Sequence, residues 1–288
     1  MNEWPRLHQS IAKELVTKSP EHVRQIIEGE LKRKESKQMR RGSLVDQLVF
    51  GGANYQVVDA KLKSGPRKGQ PADDWMGTEA KEQRAEILSR GMLPVLPCEL
   101  EKAQVVAGRV KSILLEADFA PERCRTQHTL TWTTNLGVAA EGTPDFYHVL
   151  SSRDAGHGPD GLGNTPPVRV DTFDLKVVES CNPDYLDKHV ADMGWDIQGS
   201  AYQEAVHKNW STVQQRGNHY VLAIEAESLV AVLCPLSEAY LEFGKMRWER
   251  AQHVWRTCLE SNSWPGYKSR ALIPPNYIIE KESKHYVG

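Results

Sequence analysis

The segment Val168–Val178 reads Val-Arg-Val-Asp-Thr-Phe-Asp-Leu-Lys-Val-Val, mostly β-branched and apolar but carrying three charged groups within six positions. It is too apolar and β-branched to be a loop and predicts a strand. Side chains alternate faces along a strand, so Asp174 and Lys176 share one face while Asp171 points to the other. A long helical pattern over 183–209 follows, and then two further strands, Tyr220–Glu225 and Leu229–Cys234. A strand, a crossover helix and more strands predict a sheet with helices packed on it.

Composition narrows the class. The chain has 288 residues, 40% of them hydrophobic, which is ordinary for a globular protein and excludes wholesale disorder. No run approaches the roughly 18 consecutive apolar residues of a membrane span. The opening MNEWPRLHQSIAKELV has neither the apolar region nor the cleavage site of a secretory signal, which predicts a cytoplasmic protein. Five scattered cysteines without a Cys-x-x-Cys pair support neither a disulfide framework nor a zinc ribbon. With 36 basic against 38 acidic residues, a polyanionic partner would have to meet a local patch.

The N-terminal part reads as helical. Residues 6–15 and 21–34 are predicted helices, the second starting at Ser19-Pro20-Glu21. Its end runs into Lys32, Arg33, Lys34, Lys37, Arg40 and Arg41, either a solvated helix end or a phosphate-contacting patch. Residues 42–50 predict a short buried helix, Tyr55–Lys61 a strand and 64–77 a loop. Glu79–Arg90 and Glu99–Glu116 predict amphipathic helices. Strands are expected at Arg125–Thr134, Gly137–Glu141 and Asp145–Leu150. A Gly/Pro/Ser-rich insertion fills 151–167, Ser237–Glu260 is another long helix, and the tail beyond Tyr267 is irregular. The expected architecture is α/β, a mixed sheet flanked by helices with a helical N-terminal part. The expected divisions are a segment over 1–40, a main domain over 41–278 and a tail over 279–288.

Chemistry concentrates between Gly142 and Tyr202. Gly142-Thr143-Pro144-Asp145 places a carboxylate at the mouth of a strand, and Asp174-Leu175-Lys176 follows on a later one. Gln198 and Tyr202, four residues apart, share a face of the next helix. Two carboxylates and a lysine suit phosphodiester cleavage. The acids hold Mg²⁺, which takes oxygen ligands, and the lysine orients water and offsets charge developing at phosphorus. Each element alone is weak, and most Asp-x-Lys triplets are surface strands; the order in which they occur is the signal. The histidines lack His-x-x-x-His or His-Glu-x-x-His spacing, the tryptophans occupy core-like positions, and no Gly-rich phosphate loop is present.

These ordered motifs resemble the PD-(D/E)xK nuclease superfamily, in the branch of RecE and the lambda-type recombination exonucleases. Gly42-Ser43-Leu44-Val45-Asp46 is similar to the family's first helical motif, where a histidine commonly stands in place of Asp46. Ala223-Ile224-Glu225, Leu241-Glu242-Phe243-Gly244 and Trp264-Pro265-Gly266-Tyr267 resemble its closing elements, so most of 40–278 is covered. The resemblance implies a restriction-endonuclease-like fold. It implies Asp145, Asp174, the Leu175 carbonyl and Asp46 as ligands of Mg²⁺ or Mn²⁺, Lys176 as catalytic lysine, and Gln198 with Tyr202 as the helical motif. The implied activity is an exonuclease that degrades one strand of linear duplex DNA 5′ to 3′ and leaves a 3′ overhang for recombination or repair. Lys32, Arg33, Lys34, Arg40 and Arg41 would contact DNA. A single-strand annealing protein, a trimeric or tetrameric ring and a phage or prophage setting in a bacterial cell are further implications. Relatives often carry a glutamate on the strand corresponding to Arg125–Trp132, where this chain offers Gln127 and His128. That departure leaves open a nuclease-fold protein that binds DNA without cutting it, and an endonuclease of the same superfamily.

Overall fold

The computed structural model describes residues 4–31, 37–119, 124–126, 128–151, 167–210, 213, 215–225, 228 and 230–285. In chain order they form α1 (Gln9–Thr17), α2 (Pro20–Ile27), α3 (Lys37–Phe50), β1 (Tyr55–Val57), α4 (Thr78–Ser89), β2 (Leu93–Val95) and α5 (Pro97–Glu116). There follow β3 (Cys124–Thr126), β4 (Leu130–Thr133), β5 (Ala139–Gly142), β6 (Phe146–Ser151), β7 (Pro167–Val178), α6 (Pro183–Met193) and α7 (Trp195–Asn209). The chain closes with β8 (His219–Glu225), β9 (Ala231–Pro235), α8 (Glu238–Ser261) and α9 (Asn276–His285).

A five-stranded mixed sheet in the order β3-β6-β7-β8-β9 is the centre of this α/β fold. Within this sheet β7 and β8 run parallel and the other described pairs antiparallel, and α6 and α7 make the crossover between β7 and β8. Aromatic rings fix the register of the three inner strands. Phe146 of β6 stacks on Phe173 of β7 with centroids 4.4 Å apart, and Phe173 stacks on Tyr220 of β8 at 4.9 Å. Such cross-strand pairs penalise slippage, because a one-residue shift would send every ring to the other face.

Helices cover both faces. α3 and α5 bury Leu44, Val45, Val106 and Val110 against Phe146, Phe173 and Leu175. On the other side α1, α7 and α8 form a second core with the β4–β5 hairpin, around Leu7, Trp132, Ile197 and Trp248. The N-terminal segment is part of that core. Leu7 donates its backbone N–H to the Ala139 carbonyl at 2.9 Å and accepts from the Glu141 N–H at 3.0 Å.

Several elements differ from expectation. The predicted strand Arg125–Thr134 is two strands in different sheets, β3 beside β6 and β4 beside β5. The second predicted helix stops at Ile27 rather than 34, where Gly29 turns the chain at φ +77°. The single helix expected over 183–209 breaks at Gly194, whose φ of +72° ends α6 and starts α7 in a new direction. The tail carries α9. The strand Leu93–Val95, parallel to β1, was hidden by its brevity and its proline. No helix among the described residues is long and apolar enough to cross a membrane.

Candidate active site

Four elements meet at one cleft of about 1160 Å³. Asp46 of α3, Asp145 before β6, Asp174 and Lys176 of β7, and Gln198 of α7 all line it, with the Leu175 position between the last two strand residues. Tyr202 does not line it but lies fully buried behind Gln198, whose Nε2 donates to its hydroxyl.

Local sequence explains each placement. Continuing the register that pairs Phe146 with Phe173 sets Asp145 across from Asp174. The Leu175 N–H then donates to Asp145 Oδ2 at 2.7 Å, which holds the turn carboxylate against β7. The preceding Gly142 admits Tyr202: a Cβ there would meet Tyr202 Cε1 at 2.7 Å. The Tyr202 hydroxyl donates to the Thr143 carbonyl at 2.9 Å and accepts from Gln198 Nε2 at 3.3 Å and Gln9 Nε2 at 3.2 Å. Gln198 Oε1 in turn accepts from Lys176 Nζ at 3.1 Å, and that ammonium is ion-paired with Asp174. A continuous network thus runs from the N-terminal helix through α7 to the β7 charges.

Electrostatics at this point are tense. Burial, and next the Asp174 carboxylate, drive the Asp145 carboxyl well above the usual carboxylate range; Asp46 adds to the rise, while Lys176 and the Leu175 N–H oppose it. Asp174 is only 2% exposed. Lys176 is the cation that offsets the pair, its ammonium 6.0 Å from the centre of the buried Trp195 ring. The Tyr202 hydroxyl is held firmly protonated, chiefly by burial and then by Asp174, so it serves as a hydrogen-bonding group. Asp171 is kept away from the cleft, as the alternation requires: it bonds Arg169 Nε at 2.9 Å and the Asn218 N–H at 2.7 Å.

The donor set suits a hard cation of low protein coordination. Among the described residues no three histidine, cysteine or carboxylate side chains form a group that would hold a metal by themselves. Mg²⁺ commonly binds through one or two carboxylates and keeps waters and substrate oxygens for the rest, and the buried Asp174 beside the half-buried Asp145 matches that demand.

The remaining expected residues separate into three groups. Arg40 and Arg41 lie on α3 next to the cleft-lining Met39, Gly42 and Ser43. Lys32, Arg33, Lys34 and Gln127 fall outside the described residues. His128 is exposed, 6.1 Å from the Tyr147 ring. Sequence reasoning missed the contribution of α1, whose Gln9, Ser10, Lys13 and Glu14 form one wall of the cleft. The sequence marks 6–15 only as a helix, with no site residue on it.

No known protein family matches the sequence, and no curated protein matches it either. Among solved structures, the Eubacterium rectale protein named "Putative exonuclease" superposes with a TM-score of 0.53, covering 94% of this chain and 90% of that one at 14% identity. A second structure, SSO0001, aligns over 91% of this chain and 97% of that one at 13% identity, but its TM-score of 0.27 carries no weight. Nothing in these likenesses singles out the recombination-exonuclease branch. The chain shares the fold of the Eubacterium rectale protein: a mixed five-stranded sheet flanked by helices.

Proposed function

We propose that this chain is a divalent-metal-dependent exonuclease acting on the ends of duplex DNA. The supporting observation is the meeting of Asp145, Asp174 and Lys176 in one open cleft, tied together by the Leu175–Asp145 hydrogen bond. The name of the structural neighbour points the same way.

Asp145 and Asp174, with the Leu175 carbonyl, would hold Mg²⁺ or Mn²⁺, and Asp46, on the wall of the same cleft, would reach the cation through water. What the cation supplies there is polarisation of the phosphoryl oxygen and a more acidic water. Lys176 then orients the attacking water and offsets the charge that develops at phosphorus. Gln198 fixes the lysine, and Tyr202 fixes Gln198 against the Thr143 carbonyl. Arg40 and Arg41 would bind phosphates beside the cleft, and Lys32, Arg33 and Lys34, close by in sequence, would add cations to the DNA contact. The same reading has one strand degraded from its 5′ end, leaving a 3′ overhang for an annealing protein, and several copies closing into a ring.

The test incubates 5′-labelled linear duplex with the protein in Mg²⁺, Mn²⁺ or EDTA, beside Asp174→Ala and Lys176→Ala. Metal-dependent loss of label that vanishes in both variants supports the proposal. Binding without degradation in any metal would make the chain a non-cutting DNA binder, and rapid cutting of closed circles would make it an endonuclease.

A further inference from the structure

Between β1 and α4 the chain makes a finger that the site does not use. From Ala60 to Ala72 the sequence is Ala-Lys-Leu-Lys-Ser-Gly-Pro-Arg-Lys-Gly-Gln-Pro-Ala, four cations and no acid, in a chain whose formal net charge is −2. Such a stretch reads as a plain loop from its glycines and prolines. In the structure its two arms are joined by backbone bonds: the Leu62 N–H donates to the Gln70 carbonyl at 2.9 Å, and the Gly69 N–H to the Leu62 carbonyl at 2.9 Å. The Ala72 N–H closes the base on the Ala60 carbonyl at 2.8 Å. That base is anchored in a small apolar cluster of its own, with Val58, Ala60, Ala72, Ala80, Ile87 and Leu96 buried. The finger is therefore held in shape while Lys61, Lys63, Arg67 and Lys68 remain exposed.

Charge pairing leaves these cations available. Among the described residues Lys61 and Lys68 have no acidic partner. Lys63 reaches Glu79 only at 3.6 Å, and Arg67 pairs with Asp73 at 2.5 Å. Both pairs are exposed, and exposed pairs contribute about 0–1 kcal/mol, little enough to exchange for phosphate contacts. The finger is also within reach of the cleft. Asn54 lines the cleft and Lys61 follows seven residues later, a span of at most about 25 Å for extended chain. At about 3.4 Å per base-pair step that is about seven base pairs of duplex.

We propose that the 61–68 finger is a second DNA-binding element, gripping the phosphate backbone of the duplex outside the end held in the cleft, with Lys61 at its base within about seven base pairs of that cleft. The inference rests on the nuclease reading for its choice of polyanion. Its role is sequence-independent, since phosphate contacts position a protein on DNA without reading bases.

Affinity for a 30-base-pair duplex, measured by fluorescence anisotropy in EDTA across a salt series, tests it. The variants are Lys61→Ala/Lys68→Ala and Lys61→Glu/Lys68→Glu, with far-UV circular dichroism and melting temperature confirming the fold. Two lost phosphate contacts should flatten the slope of log K against log salt by about 1.8, with the weakening greatest at low salt. The charge-reversed pair should weaken binding further. If the wild type binds with a steep salt dependence and both variants keep its affinity and slope, the finger is not a DNA contact, and the nuclease reading stands. Should the wild type show no duplex binding at all, both the finger proposal and the reading beneath it fall.

Discussion

Leu175 donates its backbone N–H to Asp145 Oδ2 across 2.7 Å, so the residue between Asp174 and Lys176 also positions the acid arriving from the β5–β6 turn. One strand therefore carries two of the candidate catalytic groups and aims the third. Its own loss of solvent, and next the neighbouring Asp174, make the Asp145 charge unwelcome in the folded protein.

Replacing Asp145 by Asn separates folding from chemistry. The amide oxygen can still accept from Leu175 while the repulsion with Asp174 disappears. Metal-free Asp145→Asn should melt no lower than the wild type near pH 7, and DNA hydrolysis should fall by about 100-fold or more. A melting temperature lowered by several degrees without metal would show that the charge stabilises the site.

Lys176 has the reverse balance. Lys176→Met removes the cation that offsets Asp174 and leaves buried acids facing each other. The variant should be less stable than the wild type in EDTA, by about 3 kcal/mol or more if the charge stays uncompensated. Added Mg²⁺ should recover more stability in the variant than in the wild type, because the ligand that binds only the folded state now relieves a larger repulsion. Thermal shift over a Mg²⁺ titration reads this without any substrate, and equal shifts in both proteins would contradict it.

Gly142 and Tyr202 make a paired prediction. In Gly142→Ala the new methyl meets the Tyr202 ring, which is fully buried and has nowhere to move, at a cost of about 1–3 kcal/mol. Tyr202→Phe keeps the ring but strips the hydroxyl from Gln9, Gln198 and the Thr143 carbonyl, costing about 1 kcal/mol. The double variant with Phe should retain most of the alanine penalty, since the ring remains. Urea unfolding of the wild type and the three variants supplies the cycle.

His219 sets an acid limit on stability. It is fully buried on β8, its Nδ1 2.9 Å from Thr172 Oγ1, and burial lowers its pKa to about 4. The unfolded chain takes up this proton near pH 6.5 and the folded chain does not, so stability falls as pH drops from about 6.5 to about 4. The full loss is about 3 kcal/mol from this residue, and below pH 4 it grows no further. Asp145, its carboxyl raised, gains stability over the same fall in pH, so the comparison is between proteins: from denaturation midpoints at pH 7, 5.5 and 4.5 the wild type should lose stability relative to His219→Gln as pH drops. An unaltered slope in that variant would assign the acid sensitivity elsewhere.

The candidate site was legible in large part because its chemistry sits on local pattern. The alternation of β7 put Asp174 and Lys176 on one face and sent Asp171 to Arg169, and the four-residue spacing of Gln198 and Tyr202 put both on one side of α7. Helix starts with strong local signals, at Ser19-Pro20 and at Ser237, were equally plain, since Ser19 and Ser237 cap their helices with their own hydroxyls.

Other features depended on partners distant in the chain. Residues 125–134 alternate like one strand, yet Cys124–Thr126 pairs with β6 and Leu130–Thr133 with β5, a choice made by which neighbours are in reach. The bend at Gly194 falls inside a helical pattern that runs unbroken over 183–209 in the sequence. Only the packing of Lys13 against it, where a Cβ would meet the lysine side chain at 3.0 Å, ties that left-handed turn to α1.

The sequence by itself determined which residues could do chemistry and which face of their own element they occupy, because alternation and helical spacing are properties of the backbone alone. Tertiary structure decided that Asp46, Asp145, Asp174 and Gln198 share one cleft and that α1 walls it. It also decided that Ala60–Ala72 stands as a finger. Those outcomes rest on aromatic register, buried charge and contacts between segments far apart in the chain, whose energies exist only once the segments meet.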